Sequence, residues 1–99
     1  MHGHILHLTI LRHQFGLAKK LIERYGANAG SLNGNGSNIA HILFANFSQN
    51  TATAKQLASK FHEFKVDVNL VDNNGLAPIH VAVKKFQLEA LEHAHFLNL

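Results

Sequence analysis

A glycine followed five residues later by a histidine occurs twice in this 99-residue chain, as Gly36/His41 and Gly75/His80, and the two pairs are offset by 39 positions. The residues around them align too. Gly36-Ser37-Asn38-Ile39-Ala40-His41-Ile42-Leu43 lies over Gly75-Leu76-Ala77-Pro78-Ile79-His80-Val81-Ala82, and Leu6-His7-Leu8-Thr9 lies over Ile79-His80-Val81-Ala82. Three copies are thus laid along the chain, with His7, His41 and His80 equivalent. A period in the range of about 20–50 residues restricts the fold severely, because one such unit is too small to bury its apolar face and must stack on its neighbours.

The best-formed copy runs from Val66 to Val83, VDVNLVDNNGLAPIHVAV. Asp67-Val68-Asn69-Leu70-Val71 has β-branched residues at strand spacing, so the pattern predicts a short strand. Asp72-Asn73-Asn74-Gly75 then supplies turn chemistry, with Asn and Gly able to take positive φ. Pro78 suits the first turn of a helix, where its missing N–H is not needed. Ile79, Ala82, Val83 and Phe86 continue as one apolar helix face.

This stretch resembles the ankyrin repeat, whose pattern is D-V-N, two residues, then D-x-x-G-x-T-P-L-H-x-A. Asp67-Val68-Asn69, Asp72, Gly75, Pro78, Ile79, His80 and Ala82 match it, and Ala77 stands where the family has Thr. The resemblance implies an all-α solenoid of stacked helix-turn-helix units with hairpin-like loops. The units would be roughly 1–32, 33–71 and 72–99 of a single domain, whole or excised from a longer protein. It also implies that His7, His41 and His80 begin the inner helices, semi-buried and neutral, and hydrogen-bond the neighbouring turn.

The other copies depart from this pattern in places. In the first, Leu17, Ala18, Leu21, Ile22 and Tyr25 make an amphipathic helix, ended by Gly26 at a position that needs a left-handed conformation. In the second, Asn33-Gly34-Asn35-Gly36 forms the turn and the inner helix is expected to reach about Phe47. His41 stands 24 residues before Lys65, which occupies the family's helix-ending Gly position, against about 18 in the family. The extra residues, Ser48 to Thr53, are polar and aperiodic, and an exposed, mobile loop is expected there. Thr51 or Thr53 suits an N-cap, and Leu57, Ala58, Phe61 and Phe64 form the outer apolar face. The third copy has Leu88, Leu91 and Ala94 on its outer helix and an apolar ending, His95-Phe96-Leu97-Asn98-Leu99. A terminal repeat normally needs a polar outer face, so cover by further repeats or by a second copy of the chain is expected there.

Composition narrows the function. Only 15% of residues are Asp, Glu, Lys or Arg, against about 25% in a typical domain, which suggests that some surface is covered. The absence of cysteine rules out a disulfide framework and thiolate metal sites and fits an intracellular place, cytoplasmic or nuclear. There is no apolar run of the roughly 18 residues a membrane span needs.

The formal net charge of +3 comes from residues 1–49, where Arg12, Lys19, Lys20 and Arg24 face only Glu23. A charge run of this sort usually marks a solvated helix face. The nine histidines include H-x-H-x-x-H at His2, His4 and His7 and H-x-H at His93 and His95. No carboxylate or thiolate accompanies the first group, and helix positions two apart diverge. Gly30-Ser31-Leu32-Asn33-Gly34-Asn35-Gly36 lacks the Lys-Ser/Thr ending of a phosphate loop. No catalytic order and no cofactor motif is present, so no enzyme and no cofactor is expected.

Non-catalytic protein recognition is what the resemblance implies, through the hairpin tips and the exposed side of the inner helices. Carried onto this chain, those positions are Leu11 and Arg12; Gly34, Asn35, Ser37, Ala45 and Asn46; and Asn73, Asn74, Leu76, Lys84 and Lys85. The partner would be another protein, with no membrane involved. Basic nucleic-acid binding and histidine-mediated metal binding stand as the alternatives.

Overall fold

The computed structural model describes residues 2–49 and 51–97. Among them lie six α-helices and no strand: α1 (His2–Leu11), α2 (Phe15–Tyr25), α3 (Ile39–Ala45), α4 (Thr51–Ala58), α5 (Pro78–Lys84) and α6 (Leu88–Phe96), with a 3-10 turn at Phe47–Gln49. Successive helices pair as α1/α2, α3/α4 and α5/α6. The inner helices α1, α3 and α5 pack in sequence, α3 lying between the other two, while α2 packs on α4. This is the stacked helical solenoid that the repeat period requires.

Long hairpin turns join the pairs, and each is built by one acidic or amide side chain. The Asn33 Oδ1 accepts the N–H groups of Asn35 and Ser37 at 2.9 and 3.0 Å. Thirty-nine residues later, Asp72 Oδ1 accepts those of Asn74 and Leu76 at 2.8 and 3.0 Å. Gly36 and Gly75 follow with φ of 73° and 77°, a left-handed conformation that is strained for a residue with a Cβ. Asp67–Val71 forms no strand, contrary to its alternation. The Asp67 side chain accepts the Asn69 N–H at 2.9 Å, and with no ladder partner alongside, a local turn satisfies the backbone instead.

Helix ends follow their sequence signals. Pro78 is the first residue of α5. Gly26 ends α2 with φ 67°, and the Ala27 N–H returns to the Leu21 carbonyl at 3.0 Å, closing the orphan carbonyls of the last turn. Lys65, which takes the glycine position after α4, adopts φ 60° all the same. Thr51 and Thr53, each expected as an N-cap, both lie within α4, of which Thr51 is the first residue.

The extra residues of the second unit do not form one long loop: Phe47–Gln49 is a 3-10 turn and Thr51–Thr53 open α4, while Ser48 and Ala52 are exposed as their segment's polarity suggests. Phe47 is fully buried and meets Phe44 edge-on at 5.9 Å and the His93 ring at 5.9 Å. The Ser48 N–H donates to Gln87 Oε1 at 2.9 Å. The 3-10 turn packs on both α4 and α6, so one aromatic anchor overrides the hydrophilic run around it.

The core runs through the stack as Leu6, Ile10, Phe15, Ile39, Leu43, Phe44, Phe47, Leu57 and Phe61. The expected apolar faces hold best in the middle. Leu57, Ala58 and Phe61 are buried, whereas Leu17 and Tyr25 of α2 and Leu88 of α6 are exposed. Of the face assigned to α5, only Ala82 is buried; Ile79, Val83 and Phe86 are exposed at 36%, 56% and 84%. A helix in the middle of a stack is covered on two sides, and a helix at its end on one.

Candidate functional site

Two of the three equivalent histidines link one unit to the next. Each of the first two spans to the following hairpin. His7 Nε2 lies 2.9 Å from the Ser37 carbonyl, and His41 Nε2 lies 2.8 Å from the Leu76 carbonyl. A carbonyl only accepts, so the ring donates from Nε2. In His41, Nδ1 then accepts the Asn38 N–H at 3.2 Å. The Asn38 side chain caps α3 through the Ala40 and His41 N–H groups and sends its Nδ2 to the Asp67 carbonyl at 2.7 Å. His7, Asn38 and His41 are all buried. These residues connect units, as the resemblance implied, and are not free for ligands. His80 differs from that expectation: it is exposed, although its Nδ1 accepts the Ala77 N–H at 3.1 Å.

Cross-bracing also joins the hairpin tips. The Asn73 N–H donates to the Asn35 carbonyl at 2.9 Å, and Asn73 Nδ2 reaches the Gly34 carbonyl at 3.3 Å. Asn73 thus contributes its backbone and part of its amide to the scaffold. Gly34, Asn35, Asn73 and Asn74 are exposed along this edge. At the far end of the inner helices, Leu11, Arg12, Lys84 and Lys85 are exposed, and Ala45 and Asn46 between them are half-buried. The Asn46 amide is engaged with the Ile42 carbonyl at 2.8 Å. Leu76 is half-buried, and Ser37 is buried, 7% exposed, with its carbonyl held by His7.

One row on the inner layer escaped the sequence reading. Leu8, Ile42 and Val81 are equivalent in the repeat alignment and lie one helical turn before Leu11, Ala45 and Lys84, hence on the same face. Leu8 is exposed, Ile42 and Val81 half-buried. The same alignment that equated the histidines contained this signal, one position further on.

Three clefts indent the outer layer and one end. One of about 460 Å³ is lined by Lys55, Glu89, Glu92, His93 and Phe96. Another, of about 570 Å³, is lined by Lys19, Lys55, Gln56, Ser59 and Lys60. The third, of about 230 Å³, lies beside Ile5, Leu21, Tyr25, Gly26 and Ala27. None contains any of the twelve inner-face positions. In the first, His93 stacks on Phe96 at 6.0 Å, and burial, with the nearby Lys55 charge, holds its imidazole below its ordinary value of 6.5. Asp72, hydrogen-bonded by the Leu76 and Asn74 N–H groups, is held below 3.8.

Neither alternative gains support. Lys19, within the basic segment, is paired with Glu23 at 3.1 Å. Among the described residues no three His, Asp or Glu side chains converge on a metal position; the His2 and His4 side chains lie outside that description. No helix among the described residues is long and apolar enough to cross a membrane.

Stacked helix pairs, histidine-linked hairpins and a repeated Asx-Gly turn define a repeat protein of the ankyrin class. The family model for ankyrin repeats, in three copies, matches residues 6–97, and the chain belongs to that family. Ankyrin repeats generally mediate protein–protein interaction. No curated protein matches the chain.

Proposed function

We propose that this chain is a non-catalytic recognition module that holds a partner protein across its hairpin tips and the exposed side of its inner helices. The observation that carries the reading is the braced edge: Gly34, Asn35, Asn73 and Asn74 are exposed on turns tied together by the two Asn73 bonds. A rigid edge of this kind loses little entropy when it binds. Divided at the turns into units 1–32, 33–71 and 72–99, each unit adds one segment to the surface.

Leu11, Arg12, Ala45, Asn46, Lys84 and Lys85 extend the surface along the helices, with Leu8 contributing apolar area. Leu76 borders it, and Ser37 supports the turn from inside. The surface is shallow and amide-rich, which suits adaptable hydrogen bonding to a protein better than enclosure of a small substrate. An intracellular place agrees with the absence of cysteine.

Affinity capture with the chain, compared with Asn73→Arg/Lys84→Glu and with the outer-face Lys60→Glu as control, tests the assignment. Loss of one captured protein in the double variant alone, with its direct titration against the purified chain weakened at least tenfold, is expected. Undiminished titration by the double variant overturns the surface.

A further inference from the structure

We propose that the cleft between α4 and α6, on the outer layer, binds an extended peptide segment of a partner protein that carries an arginine and, a few residues away, acidic side chains. The site shares no residue with the surface proposed above and does not depend on it.

Opposite charges line this cleft without pairing. Lys55 stands on α4 and Glu89 and Glu92 on α6, around a volume of about 460 Å³. The ion pairs among the described residues are Lys19–Glu23 and Lys60–Glu63, so no described neighbour neutralises Lys55 or either carboxylate. All three are exposed. A cation on one wall and two carboxylates on the other suit a ligand that carries both signs.

The α6 wall identifies the cationic group. Glu89, Glu92, His93 and Phe96 fall at positions i, i+3, i+4 and i+7, hence on one face of the helix. The His93 and Phe96 rings stack at 6.0 Å with their planes 8° apart, and Phe96 is 79% exposed. His93 is braced from behind by the Phe47 ring at 5.9 Å, and its Nε2 lies 3.3 Å from Ser59 Oγ. Burial holds its imidazole below the ordinary 6.5, so at neutral pH the ring pair is largely uncharged and does not repel a cation. A guanidinium can lie flat on such a platform while its N–H groups reach the flanking carboxylates. A lysine ammonium has no plane to stack, so the wall favours arginine.

The acidic part follows from the other side of Lys55. There the groove continues into the cleft of about 570 Å³ lined by Lys19, Lys55, Gln56, Ser59 and Lys60. Lys55 and the Ser59–His93 contact join the two clefts. The pairs that Lys19 and Lys60 make are at the surface, where such pairs are weak, so both lysines can turn to a carboxylate of a ligand. Neighbouring helices lie about 8–10 Å apart and an extended chain advances about 3.3 Å per residue, which sets the arginine and the acidic side chains about three residues apart.

The test titrates two capped peptides of opposite order, acetyl-Gly-Asp-Glu-Ala-Ala-Arg-Gly-amide and acetyl-Gly-Arg-Ala-Ala-Glu-Asp-Gly-amide, into the isotope-labelled chain and follows the amide signals by NMR. Saturable shifts at Lys55, Ser59, Glu92, His93 and Phe96 are expected with at least one order. Citrulline in place of the peptide's arginine, or amides in place of its two acids, should weaken binding by about tenfold. Phe96→Ala and the pair Glu89→Gln/Glu92→Gln should do the same. The second variant keeps the ring stack, so it reads the charge requirement even if Phe96→Ala lowers stability. Asn73→Arg/Lys84→Glu should leave this binding unchanged, which separates it from the hairpin surface. Absence of saturable shifts with both peptides, equal binding of the citrulline peptide, or shifts confined to the hairpin turns overturns the proposal. So does concentration-dependent association of the free chain that Phe96→Ala abolishes, since the occupant is then a second copy.

Discussion

The second and third units carry the same Gly-x4-His segment in two surroundings. In the second, His41 is buried and bonded to the next turn, Gly36 is roofed by Asn73, and Phe44 and Phe47 are in the core. In the third, His80, Val83 and Phe86 are exposed and none of the described residues roofs Gly75. A motif in a repeat protein encodes a local shape and an offer of contacts, and the neighbour decides whether the offer is taken. The same residue type therefore carries different stability at equivalent positions.

The largest contrast is expected between Phe47 and Phe86. Phe47→Ala removes a fully buried ring between two aromatic neighbours and should cost about 3–5 kcal/mol in denaturant unfolding. Phe86→Ala, at an exposed position, should stay within about 0.5 kcal/mol. Similar losses at both would mean that the end face is covered in solution.

Next come the histidines. His41→Ala strands the Leu76 carbonyl and the Asn38 N–H, and should cost about 1–3 kcal/mol. His80→Ala gives up one exposed bond and should cost less than about 1 kcal/mol. Hydrogen exchange at the Leu76 turn reports the first loss directly, and unchanged protection there would break the comparison.

The glycines should differ less. Gly75→Ala pays only for its positive φ, about 1–2 kcal/mol. Gly36→Ala has that cost and must also displace Asn73, so its melting temperature should fall further. Equal shifts would place the Asn73 brace elsewhere.

Acid should separate the turns most weakly. Asp72 has a carboxyl held below 3.8 by the Leu76 and Asn74 N–H groups, so its contribution is present above that value and is lost as pH falls through the lower folded one. Asn33, its counterpart, does not titrate. Exchange at Asn74 and Leu76 should rise below about pH 4 while exchange at Asn35 and Ser37 does not. Asp72→Asn should remove the difference.

Much of this was legible from residue order. The 39-residue offset, the Asx-Gly turns, Pro78 at a helix start and Gly26 at a helix end are local signals, each tied to a backbone conformation that few residues favour. The Val-rich alternation at Asp67–Val71 misled, because alternation describes a strand only where a ladder partner exists. Polarity misled about structure at Ser48–Thr53, where Thr51–Thr53 join α4 and the preceding turn is anchored by the adjacent Phe47 ring, although Ser48 and Ala52 are exposed. The surface residues were legible only in part. Exposure of Gly34, Asn35, Asn73 and Asn74 follows from their place on turns, whereas the burial of Ser37 depends on His7, thirty residues away.

The sequence by itself determined the repeat unit, its turns and some of its helix limits, such as Pro78 and Gly26, since these rest on φ preferences, capping and apolar period within a few residues; the inner helix expected to reach about Phe47 ends at Ala45. Only the tertiary structure decided which of the three equivalent histidines are buried, which glycine is roofed and which aromatic ring anchors the inserted turn. Those outcomes depend on whether another unit lies across the face, and burial and hydrogen-bond satisfaction are properties of the neighbour as much as of the residue.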